Sequence, residues 1–263
     1  MIRVLFGDHA TQAPAIAACI DRSRYLPAFG FDGADMLAFD MVVPLSVPQF
    51  DAAHAANRDG RVRAVLPRPD LVALCDDKLL WNRWLIDHGF AAHVPALLGD
   101  ESREYPYIRK SRQGDWGAGC TMVRTPADAA ALPPIDPSAE FEQRAVSGEA
   151  EYVLHLLRMG GRIRFQLCYR YEMGDALAVR GQGQAARATV PDDPGPALPL
   201  CEAVLAAQGF EGLCCFNYKL QAGTVQFLEC NPRFGGSLSG EVTRFLDAQW
   251  AAIAGLVADR AGG

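Results

Sequence analysis

Two apolar runs, residues 213–220 and 224–230, stand on either side of Gln221-Ala222-Gly223. Strand-like segments joined so closely can only pair as an antiparallel hairpin. If all three linking residues form the loop, Gly223 takes the position of positive φ, which glycine adopts without steric cost. That register sets Leu220 opposite Thr224, Asn217 opposite Phe227 and Cys215 opposite Glu229. Side chains alternate along a strand, so Asn217, Glu229 and Asn231 then share one face and Cys230 turns to the core. A two-residue loop would turn Asn217 away from Glu229.

One carboxylate and two amide oxygens on one face form a hard oxygen site suited to Mg²⁺, which takes few protein ligands and completes its shell with phosphate and water. Arg233 follows at once, where its planar fork can reach phosphate oxygens. Phe234-Gly235-Gly236-Ser237 then supplies a turn with free backbone amides. Alone, this segment would serve equally well as a hairpin end with no ligand. Its company matters. Lys110 ends an expected strand just before Gln113-Gly114-Asp115-Trp116-Gly117-Ala118-Gly119, the arrangement expected when a cation and backbone amides cover a polyphosphate. Lys78, in Asp76-Asp77-Lys78, is a second candidate phosphate cation; the plain alternative is a solvated helix lysine.

Bulk properties set the outer limits. The chain has 263 residues, 50% of them hydrophobic and 21% charged, which suits two modest globular domains or one large one. A net charge of −6 argues against a nucleic-acid scaffold, since phosphate backbones demand clustered Lys and Arg; one nucleotide needs only a few cations and amides. The eight cysteines form no CxxC pair and most lie in apolar runs, so they read as buried reduced thiols. The start shows no signal-peptide pattern, and no apolar run approaches the ~20 residues needed to span a bilayer. The expectation is a cytoplasmic protein without membrane or nucleic-acid partners.

Along the chain, residues 2–6 and 41–45 read as buried parallel strands, 62–66 as a third, and 14–19 and 50–57 as the helices between them: a small parallel α/β sheet without the GxGxxG fingerprint. Residues 70–90 read as one helix stopped by Gly89, 92–95 as an extended link and 105–110 as a strand. The Pro-rich stretch 132–137 is expected to separate this small unit from antiparallel strands at 141–146, 151–157 and 163–171. Residues 180–196 read as a loop and 203–208 as a helix capped by Gly209.

In this order the pieces resemble the ATP-grasp superfamily over roughly residues 70 to 245. The resemblance rests on Asp77-Lys78, on the lysine and Gly-rich loop Tyr-Pro-Tyr-Ile-Arg-Lys-Ser-Arg-Gln-Gly-Asp-Trp-Gly-Ala-Gly ending at Gly119, on Phe141-Glu142-Gln143-Arg144-Ala145-Val146-Ser147-Gly148-Glu149, and on Glu229-Cys230-Asn231-Pro232-Arg233. It implies a mixed α/β and α+β architecture, the ATP-grasp fold: a short N-terminal parallel α/β domain (1–70), then an ATP-grasp domain (71–263). That domain would carry a small lid subdomain at about 94–142 and a C-terminal antiparallel-sheet subdomain. By the same resemblance Lys78, Lys110, Gly114 and Gly117 hold phosphates. Gln143, Arg144 and Val146 form the adenine hinge, the last two through their backbone. Glu149 or Glu151 holds the ribose. Asn217, Glu229 and Asn231 ligate Mg²⁺, as one ion or two, with Mn²⁺ as a substitute, and Arg233 contacts phosphate. Asn217 stands where relatives commonly carry an acid, and Asp115 and Trp116 stand where they carry small residues.

The reaction implied is ATP- and Mg²⁺-dependent ligation. A small carboxylate is activated as an acylphosphate and captured by an amine or amino acid, with Lys110, Arg180 and Arg233 in catalytic roles. Arg180 and Arg187 are candidates for the γ-phosphate or the substrate carboxylate; solvated loop arginines are the alternative. Asp8 and His9, at the C-terminal edge of the parallel sheet, are candidates for a substrate role, whereas His155 reads as a packed or surface histidine. A kinase or carbamoyl-phosphate-type transferase, and an ATP-binding regulatory or assembly module, are the alternative functions. A homodimer is compatible with a shortened chain that exposes an apolar sheet face.

Overall fold

The computed structural model describes residues 1–99, 104–114, 117–181 and 184–261. The chain opens with β1 (Ile2–Phe6), α1 (Gln12–Cys19), β2 (Tyr25–Phe29), β3 (Met41–Val43) and α2 (Gln49–Ala56), and its three strands form a parallel sheet in the order β2-β1-β3. The edge strand β2 carries Pro27, and a proline without an N–H is tolerated in a sheet at an edge. That proline hides β2 from a reading by strand pattern. Residues 62–66, expected as a strand, form none. Val42 N–H bonds the Arg63 carbonyl, but Ala64 N–H folds back onto Val62, and so tight a turn ends the pairing.

The expected helix at 70–90 is two helices, α3 (Pro69–Asp76) and α4 (Lys78–Leu85). The break is at Asp77, whose backbone is extended and whose carboxylate accepts from the N–H groups of Leu79 and Leu80. A side-chain oxygen that caps fresh helix donors stabilises a new N-terminus. One wide turn follows (Ile86–Phe90), with Gly89 at φ 89°. Residues 91–93 are a short 3₁₀ turn rather than the start of an extended link.

β4 (Tyr107–Ser111), β5 (Cys120–Val123), α5 (Pro126–Ala130) and β6 (Glu140–Arg144) build a three-stranded antiparallel sheet, β5-β4-β6. The strand expected at 141–146 therefore belongs with β4, and the Pro-rich stretch before it is a connection inside this unit, not its boundary. The next sheet takes β7 (Ala150–Met159), β8 (Arg162–Glu172), β9 (Ala188–Asp192), α6 (Ala197–Gln208), β10 (Gly212–Gln221) and β11 (Thr224–Asn231), with strand order β11-β10-β7-β8-β9. β9 lies within the stretch expected as loop, as an edge strand paired only to β8. Gly209 ends α6 at φ 62°, the left-handed stop expected of it. A 3₁₀ segment (Gly236–Glu241) leads into α7 (Val242–Ala261). Among the described residues no helix is long and apolar enough to cross a membrane.

The five-stranded sheet has two dissimilar faces. Leu154 and Leu156 of β7 and Cys214, Phe216 and Tyr218 of β10 pack under α3, α4 and α6 with Trp81, Leu85 and Val204. Trp81, Phe216 and Phe227 meet one another with ring centroids 5.5 to 6.1 Å apart, and truncating any of them to Ala costs about 3–5 kcal/mol. On the other face, Leu157 and Leu213 pack against the N-terminal sheet and α7, with Val4, Phe6, Phe234 and Phe245. The rest of that face, nearer Glu151 and Lys219, is left to line a cavity. All eight cysteines are free and only Cys19 is exposed. Cys230 points into the core, where it meets Cys75 and Cys214 and burial holds its thiol well above the usual range.

Candidate functional site

The hairpin of β10 and β11 places the first group of side chains, by a route different from the one expected. Its loop is the two-residue one: Gln221 pairs with Thr224, and Ala222 and Gly223 take φ of 49° and 79°, the positive pair of a tight hairpin turn. Counted from that turn, Asn217 would oppose Leu228. A bulge between Tyr218 and Asn217 absorbs Leu228, so that Tyr218 pairs with Phe227 and Asn217 with Glu229. The extra residue changes the parity of β11. Val225 and Phe227 face the core, whereas Glu229 and Asn231 join Asn217 in lining the cavity. The shared face expected from the sequence exists, but the bulge makes it.

That cavity, of about 350 Å³, lies between the β4 sheet and the five-stranded sheet. Polar groups converge on it from both sheets. Asn231 donates Nδ2 to Glu229 Oε1 at 2.9 Å, and Asn217 donates Nδ2 to Glu151 Oε1 at 3.4 Å. Each Asn thus commits one of its two N–H groups to a carboxylate, and the amide oxygens with the remaining carboxylate oxygens are the acceptors this wall offers. This is a donor set that fits a hard cation such as Mg²⁺. Among the described residues no cluster of three or more His, Cys, Asp or Glu suits a softer metal.

Lys78, at the start of α4, and Lys110 of β4 reach the same space. Lys78 follows the cap at Asp77; its Nζ donates to the Gly114 carbonyl and stands 3.6 Å from Glu229 Oε2. Lys110 donates to Gln143 Oε1 at 3.0 Å and to the carbonyl of the bulge residue Leu228 at 3.5 Å. Burial holds its ammonium below the ordinary lysine range, because a low-dielectric surrounding disfavours the charge. Gln143 is pinned in turn by donating Nε2 to the Pro95 carbonyl at 2.8 Å. Gly117 lines the cavity at φ 67°, and a Cβ there would fall 2.6 Å from the Arg180 carbonyl. Asp115 and Trp116 lie outside the described residues.

The hinge residues divide. Arg144 and Val146 line the cavity, although the Arg144 guanidinium is turned outward to Glu104 and its backbone N–H bonds the Ala96 carbonyl at 2.8 Å. Of the two ribose candidates, Glu151 is buried in the cavity wall, whereas Glu149 is exposed and outside it. Arg180 donates Nε to Glu151 at 2.8 Å and lies 4.3 Å over the Tyr171 ring. Burial works against its charge, but Glu151 more than offsets this and the pKa rises. Arg233 is buried in the cavity wall and donates to the Phe234 carbonyl at 3.2 Å. Arg187 is exposed beside Gly174 and lines nothing here. Asp8 and His9 are likewise away from the cavity; His9 Nδ1 accepts from Thr11 and Gln12 at the start of α1, a capping role.

Of the polar cavity residues, Lys219 and Tyr171 were not singled out in the sequence, and Ser237 entered it only as part of a turn. Lys219 is two residues from Asn217 on the same strand, so alternation alone could have found it. It is buried, donates Nζ to the Ala176 carbonyl at 3.1 Å, and burial lowers its pKa. His155, expected to be packed or on the surface, is fully buried, with Nε2 2.8 Å from Ser237 Oγ. Among the described lining residues whose charge faces inward, five are cations (Lys78, Lys110, Arg180, Lys219, Arg233) and two are carboxylates (Glu151, Glu229). In a chain of net charge −6, such a cavity suits a polyanion.

No family model matches the chain, and no curated protein matches it by sequence. Solved structures do match it by shape. Phosphoribosylamine–glycine ligase from Thermotoga maritima shares 14% identity at a TM-score of 0.66, covering 91% of this chain and 71% of that one. D-alanine–D-alanine ligase from Bacillus anthracis, complexed with ATP, shares 11% at 0.62, covering 99% and 100%. The biotin carboxylase domain of 2-oxoglutarate carboxylase from Hydrogenobacter thermophilus, a dimer with MgADP, shares 12% at 0.63, covering 97% and 70%. Together with the sheet order and the two-sided cavity, these similarities show that the chain has the ATP-grasp fold.

Proposed function

We propose that this chain is an ATP- and Mg²⁺-dependent ligase that activates a small carboxylate as an acylphosphate for capture by an amine or amino acid. The observation that carries the reading is the cavity's polarity: five cations converge on a space whose one oxygen-rich wall is Asn217, Glu229 and Asn231. Lys78, Lys110 and Arg233 would hold the polyphosphate, Glu151 the ribose, and the β6 backbone at Arg144 and Val146 the adenine edge. A bound Mg²⁺ would neutralise phosphate charge during transfer.

In this scheme a carboxylate oxygen attacks the γ-phosphorus in line, the bond to the β-bridging oxygen breaks, and ADP leaves. The amine then attacks the acyl carbon, the single bond from that carbon to the phosphate's bridging oxygen breaks, inorganic phosphate leaves with the electron pair, and the amine's proton passes to solvent. Arg180 and Arg233 would offset the charge on the transferring group. The β4 sheet would keep water from the intermediate. Release of ADP and phosphate with pooled amino acids and other carboxylates tests this. The wild type should turn over only with Mg²⁺ and a carboxylate, and Glu229→Gln should abolish turnover with the fold intact. Binding of ATP without turnover across a wide substrate pool would favour a regulatory module instead, and near-normal activity in Glu229→Gln would sink the metal assignment.

A further inference from the structure

Ser237 lines the same cavity as Arg180 and Arg233, and the residue behind it belongs to no motif. His155 lies on β7 opposite Cys215 of β10, wholly buried. Its Nε2 stands 2.8 Å from Ser237 Oγ, while Nδ1 has no hydrogen-bond partner among the described residues. Gly235 passes so close over the ring that a Cβ would fall 2.5 Å from His155 Cε1 and 3.1 Å from Cys215 Sγ. The turn that carries Ser237 therefore rests directly on the imidazole. An apolar side chain of similar shape would fill this place without burying an unsatisfied nitrogen. The histidine's distinctive contribution is its contact with the hydroxyl.

Burial first, then Arg180 and Arg233, bring the imidazole's pKa down to about 3, so the ring is neutral near neutral pH. With its proton on Nε2 it donates to Ser237 Oγ. The serine then has its own O–H left to donate into the cavity. A hydroxyl donor in a wall that also carries two guanidinium groups is complementary to an anionic oxygen.

We propose that the Ser237 hydroxyl binds the terminal phosphoryl group of the nucleotide and that His155 is the positioning residue that aims it. This rests on the nucleotide reading of the cavity given above. It adds a neutral donor to the cations that hold the other phosphates.

Equilibrium binding of MgATP and of MgADP, to the wild type and four variants, tests it. Ser237→Ala should weaken MgATP about tenfold, the worth of one hydrogen bond to a charged group, and change MgADP by less than about twofold. His155→Leu should reproduce that loss. His155→Gln, whose amide can donate from near the Nε2 position, should stay within about threefold of the wild type. The double variant Ser237→Ala/His155→Leu should bind MgATP no more weakly than Ser237→Ala, since the two residues act through one contact. Equal losses for both nucleotides, an unchanged ATP-to-ADP ratio in Ser237→Ala, or additive losses would overturn the proposal. If His155→Leu does not fold, Ser237→Ala and His155→Gln still decide it. A wild type that binds neither nucleotide would remove the nucleotide reading and this inference together; one that binds both, with the ratio unmoved by Ser237→Ala, removes only the inference.

Discussion

Asn217 stands directly opposite Glu229, although the two-residue turn that joins their strands would by itself set Asn217 against Leu228. The bulge that absorbs Leu228 does two things at once. It rotates Glu229 and Asn231 from the core face to the cavity face, and it leaves the Leu228 carbonyl to accept from Lys110 at 3.5 Å. The wall of Asn217, Glu229 and Asn231 and the Lys110 ammonium are thus linked through one inserted residue.

The turn itself stores strain. Ala222 holds φ at 49°, a conformation that costs a residue with a Cβ about 1 kcal/mol. Ala222→Asn should stabilise the protein by about 0.5–1 kcal/mol, and Gly223→Ala should destabilise it by about 1 kcal/mol. Urea titrations would show the opposite displacements of the midpoint at unchanged slope. Equal midpoints in both variants would mean that the turn is not held in this geometry.

Asn217→Asp would place a carboxylate where the amide now donates to Glu151 Oε1 at 3.4 Å. Two like charges at that separation should lower the metal-free stability by about 1–2 kcal/mol. Mg²⁺ should restore it, and the variant's stability should respond to Mg²⁺ at lower concentration than the wild type's. Thermal melts with and without Mg²⁺ measure both effects. A variant as stable as the wild type, with the same Mg²⁺ response, would place the ion elsewhere.

His155 gives a pH signature. Its pKa in the folded protein is about 3 against an ordinary 6.5, so as the pH falls the unfolded chain takes the proton first. The stability this group contributes above pH 6.5 is therefore lost progressively between pH 6.5 and pH 3. Between about pH 7.5 and about pH 5.5 the loss is about 1 kcal/mol. Chemical denaturation at both pH values should show His155→Gln spared that part of the decline; identical pH dependence in the two proteins would contradict a buried neutral imidazole.

Much of this arrangement was legible because each group announces itself locally. Lys110 before a Gly-rich loop and Glu229-Cys230-Asn231-Pro232-Arg233 after an apolar run carry the resemblance and supply Lys110, Glu229, Asn231 and Arg233 to the cavity wall. What stayed hidden depended on neighbours distant in sequence. Pro27 made β2 look unlike a strand, and only its edge position beside β1 permits it. Asp77 breaks the helix while paired with Arg112, 35 residues on and just past the end of β4, a partner that no local pattern shows. The Leu228 bulge leaves no mark in the residue pattern; it follows from the competing demands of the turn, of Phe227 in the core and of Glu229 in the cavity. The choice of Glu151 over Glu149 for the cavity wall likewise depended on where β7 begins relative to β6.

The account stands or falls on whether a carboxylate is phosphorylated in this cavity. Incubation with MgATP, a pool of amino acids and other small carboxylates, and hydroxylamine reads this directly, because an acylphosphate is trapped as a hydroxamate. The expected result is hydroxamate formed in step with ADP by the wild type and absent in Glu229→Gln. ADP release without hydroxamate for any carboxylate in the pool would contradict it.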